Sequence, residues 1–291
     1  MEGPEKVYNR IGEESMHKKK ITKMALSILF WGIGVSMILP LVWMVSTACK
    51  VEADVFNFPI QWIPQRWNLI NNMKEVWGKN YNFGMFYLNS IKVTLVATFL
   101  QVFVSALGAY GFSKINFPGR DKLFLAYLAT MMIPPQVTIV SQFIIMRQIG
   151  LYNSHFGIEL LLAFSVYGVF LLRQSMMAIP DSLSESAMID GAGHLTIFFK
   201  IIFPMVKPGL ATLATLKFVW TWNDYQTPLV FLNNRNLYTI QLGMKQFASE
   251  SGSYYSLIMA AAVSAILPLI IVFLFCQRYV VDGIAAGAVK G

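Results

Sequence analysis

The chain has 291 residues, of which 56% are hydrophobic and only 13% charged, and its formal net charge is +8. Uncharged apolar runs long enough to cross a bilayer recur along it, which excludes a soluble one- or two-domain protein and predicts an all-α polytopic membrane protein. The positive charge does not indicate nucleic acid, because it gathers before the first apolar run and no basic patch with interleaved aromatics occurs.

Residues 1–23 read as a polar, solvated tail. Arg10, Lys18, Lys19, Lys20 and Lys23 crowd that tail, whereas only Lys50 closely follows the first run. This asymmetry predicts a cytoplasmic amino terminus. The first transmembrane helix is expected over 24–46. Met24 to Ser46 has no ionisable side chain and reaches roughly 34 Å, with a kink expected at Pro40. Ser46-Thr47-Ala48-Cys49 has the form of a lipoprotein cleavage site, but the preceding run exceeds a secretory core and further spans follow. Cys49 and Cys276 fall at opposite faces of the membrane, so they cannot pair within one chain.

An external loop is expected over 47–85, with short helices. Its Pro59, Pro64, Trp62, Trp67 and Trp77 suit either the headgroup layer or a soluble partner. The second span is expected over Asn89 to Ser113, with Lys92 reaching water at one end and Gly108 and Gly111 admitting a neighbouring helix. A short basic loop, Lys114 to Lys122, leads to a third span, Leu123 to Met146. Pro134-Pro135 should break this span, and the carbonyls freed there need protein or water. The fourth span is expected over Gly157 to Leu172, extending to Met177, with Glu159 at the interface.

Ser182 to Leu210 reads SLSESAMIDGAGHLTIFFKIIFPMVKPGL and begins as a short helix. Ser182 and Glu185 have the spacing of a capping box. Leu183, Ala187 and Ala192 fall on one side of it, with Ser184 and Asp190 on another. Asp190-Gly191 should end the helix, because glycine tolerates the left-handed closing conformation. Taken alone, these features describe a capped connector between spans. The fifth span is expected over Ile201 to Trp222, with Lys207 and Lys217 near its ends. It leads into Trp220-Thr221-Trp222-Asn223-Asp224-Tyr225, where rings beside an amide and a carboxylate suit either a sugar or an aromatic belt. Thr227 to Ser256 is polar, with a turn at Asn233-Asn234-Arg235-Asn236. A sixth span, Leu257 to Gln277, carries Pro268, and a Gly- and Ala-rich tail fills 279–291.

Glu185, Ala187, Asp190, Gly191, Ala192, Phe198, Ile201, Pro204 and Pro208 stand at the spacing of the "EAA" loop of permease subunits. The chain thereby resembles the membrane subunits of binding-protein-dependent ABC importers. Ser186 and Phe203 depart from the usual Ala and Leu without adding charge. The ending QRYVVDGIAAGAVKG resembles the carbohydrate-uptake group. The resemblance covers roughly residues 86–291. It implies a type I importer permease fold with six transmembrane helices, a core over 86–278 and a docking loop over 181–204. ATPase-docking residues implied are Glu185, Ser186, Ala187, Asp190, Gly191, Ala192 and Pro204. Partners implied are a second, different permease chain, a dimer of ATP-hydrolysing subunits, an external solute-binding protein, membrane lipid and a sugar. Six spans put both termini in the cytoplasm of a bacterial or archaeal cell.

Enzymatic chemistry is not evident. No G-x-x-x-x-G-K-[ST] or G-x-S-x-G occurs, and His17, His155 and His194 lie in separate segments without metal-ligand neighbours. No catalytic residue, metal, cofactor or nucleic acid is expected. For the solute path, Trp220, Trp222, Asn223 and Asp224 are the candidates. The competing readings are a non-sugar solute such as glycerol phosphate or a peptide, an ion-driven secondary transporter, and a membrane-embedded enzyme. The secondary transporter would call for ionisable groups in mid-span.

Overall fold

The computed structural model describes residues 4–249 and 252–288, and the side chains of residues 20, 22–247 and 253–278. The helices are α1 (Pro4–Ala48), α2 (Leu69–Val76), α3 (Phe83–Lys114), α4 (Arg120–Ala129), α5 (Pro135–Gln148), α6 (His155–Leu161), α7 (Val166–Met177), α8 (Ser182–Ile189) and α9 (His194–Ile197). A π-helical turn, Phe198–Ile202, joins α9 to α10 (Phe203–Met205). Then come α11 (Lys207–Trp222), α12 (Gln226–Phe231), α13 (Ile240–Gly243) and α14 (Tyr255–Ala288). Two-residue strands β1 (Ala248–Ser249) and β2 (Gly252–Ser253) pair antiparallel. Three helical stretches are long and apolar enough to span a membrane: Thr22–Ala48, Phe83–Lys114 and Tyr255–Arg278. Three bent pairs bring the number to six when each counts as one span.

The chain divides into two units. The first comprises Met1–Lys74 with Tyr254–Val263. Along the apolar part of α1 the side chains are exposed, as suits a helix with lipid around it. The segment after it is tied to its end. Ser46 Oγ donates to Trp62 O at 2.6 Å, the Trp43 and Trp62 rings meet edge-on at 5.6 Å, and Asn72 Nδ2 donates to the carbonyls of Ala48 and Lys50. Arg66 donates two hydrogen bonds to Asp54 and holds its carboxyl below the usual carboxylate range. The buried Lys50 ammonium sits 4.4 Å from the Trp43 ring centroid, and burial pushes its pKa down. Glu52 accepts from the backbone N–H of Tyr255 and Ser256, two otherwise free amides at the start of α14. The expected tails differ from the sequence reading where they are described: the backbone is already helical at Pro4 and remains so to Ala288.

The second unit, Glu75–Ser253 with Ser264–Gly291, has its core where α3, α7 and α11 pack. Ala106, Ala109, Val169, Leu172, Ile202, Leu210 and Leu213 are buried there. Small residues set the closeness of approach. A Cβ at Gly168 would come within 2.5 Å of Ser105 Oγ and 3.2 Å of Leu213, and one at Gly108 within 3.2 Å of Val169. Gly111 does not share this role, since nothing lies within 4 Å of its Cβ position.

The third span breaks where its prolines require. α4 continues as a 3-10 turn, Pro135 opens α5, and the two parts bend by 98°. Two further breaks depart from the sequence reading. The fourth span bends by 51° between α6 and α7, with Ser165 Oγ accepting from Gly168 N to start the second piece. The fifth bends by 77° at Val206, so its straight part begins at Lys207 with Pro208 in the first turn, not at Ile201. Two ionisable groups also differ from expectation. Glu159 and Lys217 are 4% and 6% exposed, so both side chains are largely buried within this chain.

The close contact at Gly168 gives a direct test. Gly168→Val overpacks the α3–α7 seam and should cost about 1–3 kcal/mol, while Gly111→Ala, with open space for its methyl group inside a helix, should not destabilise and should add up to about 1 kcal/mol. Thermal unfolding of the two purified variants in detergent measures the difference.

Candidate functional site

The segment with the dense motif is held by the ends of α3 and α7. Lys114, the last residue of α3, has a side chain only 3% exposed. Its ammonium donates to Ile179 O and to Asp181 Oδ1, both at 2.6 Å. Arg173 of α7 donates to Phe112 O at 3.0 Å and lies 4.1 Å from the Phe124 ring centroid, which fastens α7 to α3 and α4. The turn Ile179–Asp181 is therefore fixed before α8 begins.

The expected capping box does not form. Asp181, not Ser182, precedes the helix, and no side chain caps it. The backbone N–H groups of Ser184 and Glu185 both bond Asp181 O, while the Asp181 carboxylate faces Lys114. The end of the helix does match the sequence reading. Gly191 has φ +83°, its N–H donates to Met188 O at 3.0 Å, and the Ala192 N–H donates to Ala187 O at 2.9 Å. Those two bonds make a Schellman stop. Nothing lies within 4 Å of a Cβ at Gly191, so backbone conformation alone requires glycine there.

The faces of α8 also differ from the sequence reading. Ser184 is buried, and Ala187 and Ala192 lean on the core that includes Tyr110, Ile197 and Phe198. Glu185, Ser186 and Asp190 are exposed, as is Pro204 further on. Beside them stand Leu183, Met188 and Ile189, the last 87% exposed. Motif matching passed over these three. The available signal was their apolar character on a helix whose inner face Ser184 and Ala187 already fill.

The aromatic run after α11 is not one constellation. Trp222 is buried, donates from Nε1 to Ala265 O at 2.9 Å and meets Tyr87 edge-on. Asp224 Oδ1 accepts from Thr227 N in the first turn of α12. Trp220 and Asn223 alone of the four are exposed, with Trp220 against Tyr167 at 5.8 Å. Among the described residues no group of three His, Cys, Asp or Glu side chains is placed to hold a metal ion.

Residues 101–285 match the family described as binding-protein-dependent transport system inner membrane component. The chain belongs to that family. It is 29% identical to the arabinooligosaccharides transport system permease protein AraQ of Bacillus subtilis (strain 168), over 93% of this chain and 97% of that protein. It is 33% identical to the sn-glycerol-3-phosphate transport system permease protein UgpE of Yersinia pestis bv. Antiqua (strain Antiqua), over 87% and 92% of the two chains. Among solved structures, a bacterial ABC transporter involved in the import of the acidic polysaccharide alginate superposes with a TM-score of 0.81 at 25% identity. That match covers 90% of this chain and 97% of the other. The fold is thus that of an ABC importer permease, a multi-pass membrane component.

The Lys114 anchor is open to measurement. Lys114→Met removes both bonds to the turn, so amide hydrogen exchange over residues 182–189 should rise, while exchange within α3 and α11 stays as in the unaltered chain.

Proposed function

We propose that this permease serves an ATP-driven importer of a sugar or oligosaccharide and that α8 is the element an ATPase subunit grips. The observation that carries the reading is the outward face of α8. It offers Glu185, Ser186 and Asp190 beside Leu183, Met188 and Ile189, on a helix fixed at its start by Lys114 and closed by Gly191. An exposed apolar cluster with a polar rim is the form a buried protein contact takes. Ala187 and Ala192 keep α8 seated on its own core, while Gly191 shapes the contact from behind.

The sugar class rests on AraQ, on the alginate importer and on the chain's QRYVVDGIAAGAVKG ending. UgpE favours glycerol phosphate as the second reading. In this reading the chain forms half of the translocation path beside a different permease, receives solute from an external binding protein and is itself non-catalytic. Of the four candidates, Trp220 and Asn223 are the ones open to the path. Both termini and α8 face the cytoplasm, and the turn around Asn234 faces outward.

Gly191→Val places a β-branched side chain at a left-handed φ, so α8 should lose its stop while the spans insert normally. In the complete complex, ATP hydrolysis stimulated by the loaded binding protein should fall about tenfold, within the usual range for coupling between sites. Glu185→Ala should lower it less. Full stimulation in both variants would reduce α8 to a connector. Orientation has its own check in a background without Cys49 and Cys276. An impermeant thiol reagent applied to intact cells should label Asn234→Cys and leave Ser186→Cys untouched.

A further inference from the structure

The seam between α3, α7 and α11 contains a cation and polar atoms that the packing does not account for. Lys217 is 6% exposed on α11 and makes no ion pair with any described residue. Asp224 is the acid whose charge reaches it, and one oxygen of that carboxylate already accepts from Thr227 N. Glu159 and His155 of α6 are also buried ionisable groups in the bent spans, and Glu159 lies in the field of Lys92 and His155. Four buried side-chain atoms near this level have no hydrogen-bond partner: Thr98 Oγ1, Gln101 Nε2 and Ser105 Oγ on α3, and Thr221 Oγ1 on α11.

Their placement follows from contacts at two levels. Ser105 and Leu213 both press on Gly168, and further along Tyr87 meets Trp222, so α3 and α11 run antiparallel. Lys217 falls between Leu213 and Trp222, and Thr98 and Gln101 fall between Ser105 and Tyr87. Thr221 is one turn from Lys217 on the same face of α11. The third wall is the start of α7, since Gly168 meets Leu213 and Tyr167 meets Trp220 on either side of Lys217. α7 has 12 residues, and its amino-terminal end carries partial positive charge at the 51° break. An ammonium, an amide N–H, hydroxyls and a helix amino terminus thus share one level of the molecule. Together they suit negatively charged oxygen. An apolar membrane core does not retain a lone ammonium and unpaired donors without a use for them.

We propose that this seam is a subsite for an anionic group on the transported solute, a carboxylate or a phosphate. Lys217 is its counter-ion, and Gln101 and Thr221 are its hydrogen-bond donors. This rests on the chain serving as an importer permease, and it narrows the solute to an acidic sugar or a sugar-like phosphate. Entry requires α7 or α11 to swing, and the bends between α6 and α7 and at Val206 supply the hinges.

The test uses the complete importer with its binding protein in vesicles, supplied in turn with a neutral arabino-oligosaccharide, an oligouronate and glycerol 3-phosphate. ATP-dependent uptake of an anionic solute is expected. Lys217→Met should reduce it by about tenfold or more, the loss that follows from removing one partner of a buried charge pair. Assembly and unstimulated ATP hydrolysis should not change, and Lys217→Arg should keep most of the uptake. Whichever of oligouronate or glycerol 3-phosphate responds identifies carboxylate or phosphate as the group recognised. Uptake of the neutral solute alone, unchanged anionic uptake in Lys217→Met, or equal loss of neutral and anionic uptake would each overturn the subsite while the importer reading stands. No ATP-dependent uptake of any of the three would overturn both.

Discussion

A single buried ammonium sets the geometry on which the proposed coupling depends. Lys114 ends a 32-residue helix through the core and reaches the Ile179 carbonyl and the Asp181 carboxylate. With its side chain 3% exposed, the charge depends on those two oxygens for solvation. Asp181 is 74% exposed, so the bond's consequence is position more than stability. It fixes the turn from which α8 starts, and Arg173 fixes the helix that leads there. A force on α8 therefore meets the ends of α3 and α7 directly, without a slack linker between them. Converting a two-state balance from 1:99 to 99:1 takes about 5.5 kcal/mol, and a stiff connection is what allows a docked partner to deliver such a bias.

The same core shows how broken spans are tolerated. Backbone groups freed inside a bilayer need partners from the protein. At Pro134 and Pro135 no donors are freed, because proline has none. At the α6–α7 break Ser165 supplies a hydroxyl to Gly168 N, and at Val206 the following turn contains Pro208. Each break changes the direction of a span without a long loop. Unbroken α3 is the post against which α6, α7 and α11 rest.

Much of this was legible in the sequence, for reasons that differ by element. Spans one and six are long uncharged runs and span two carries a single Lys92 near one end, so hydropathy finds all three. Pro134-Pro135 announced its own break, and Asp190-Gly191 its own stop, because both act through local backbone geometry. Ser165 did not announce a break, since a serine in an apolar run reads equally as a packed residue. The capping box at Ser182 failed because a longer-range partner, Lys114, claims the neighbouring carboxylate and shifts the start of the helix. Lys217 and Glu159 were placed at interfaces by their distance from span ends, yet tertiary packing buries both. The inward turn of Ala187 and the outward turn of Ile189 follow from how α8 rests on Phe198 and Tyr110, which no local pattern specifies. Trp222 likewise suits either a sugar-binding indole or an aromatic belt in the sequence, and in the fold it is buried and donates to the Ala265 carbonyl.

The proposed coupling requires α8 to present Ile189 to a partner while its alanine face stays on its own core. Site-specific cross-linking in the assembled complex measures this directly, with Ile189→Cys and Ala187→Cys compared in a background without native cysteines in the permease. A cross-link from position 189 to the ATPase subunit, with none from position 187, is the result that follows from the geometry. Cross-linking from position 187, with position 189 left open to a water-soluble maleimide, would contradict it.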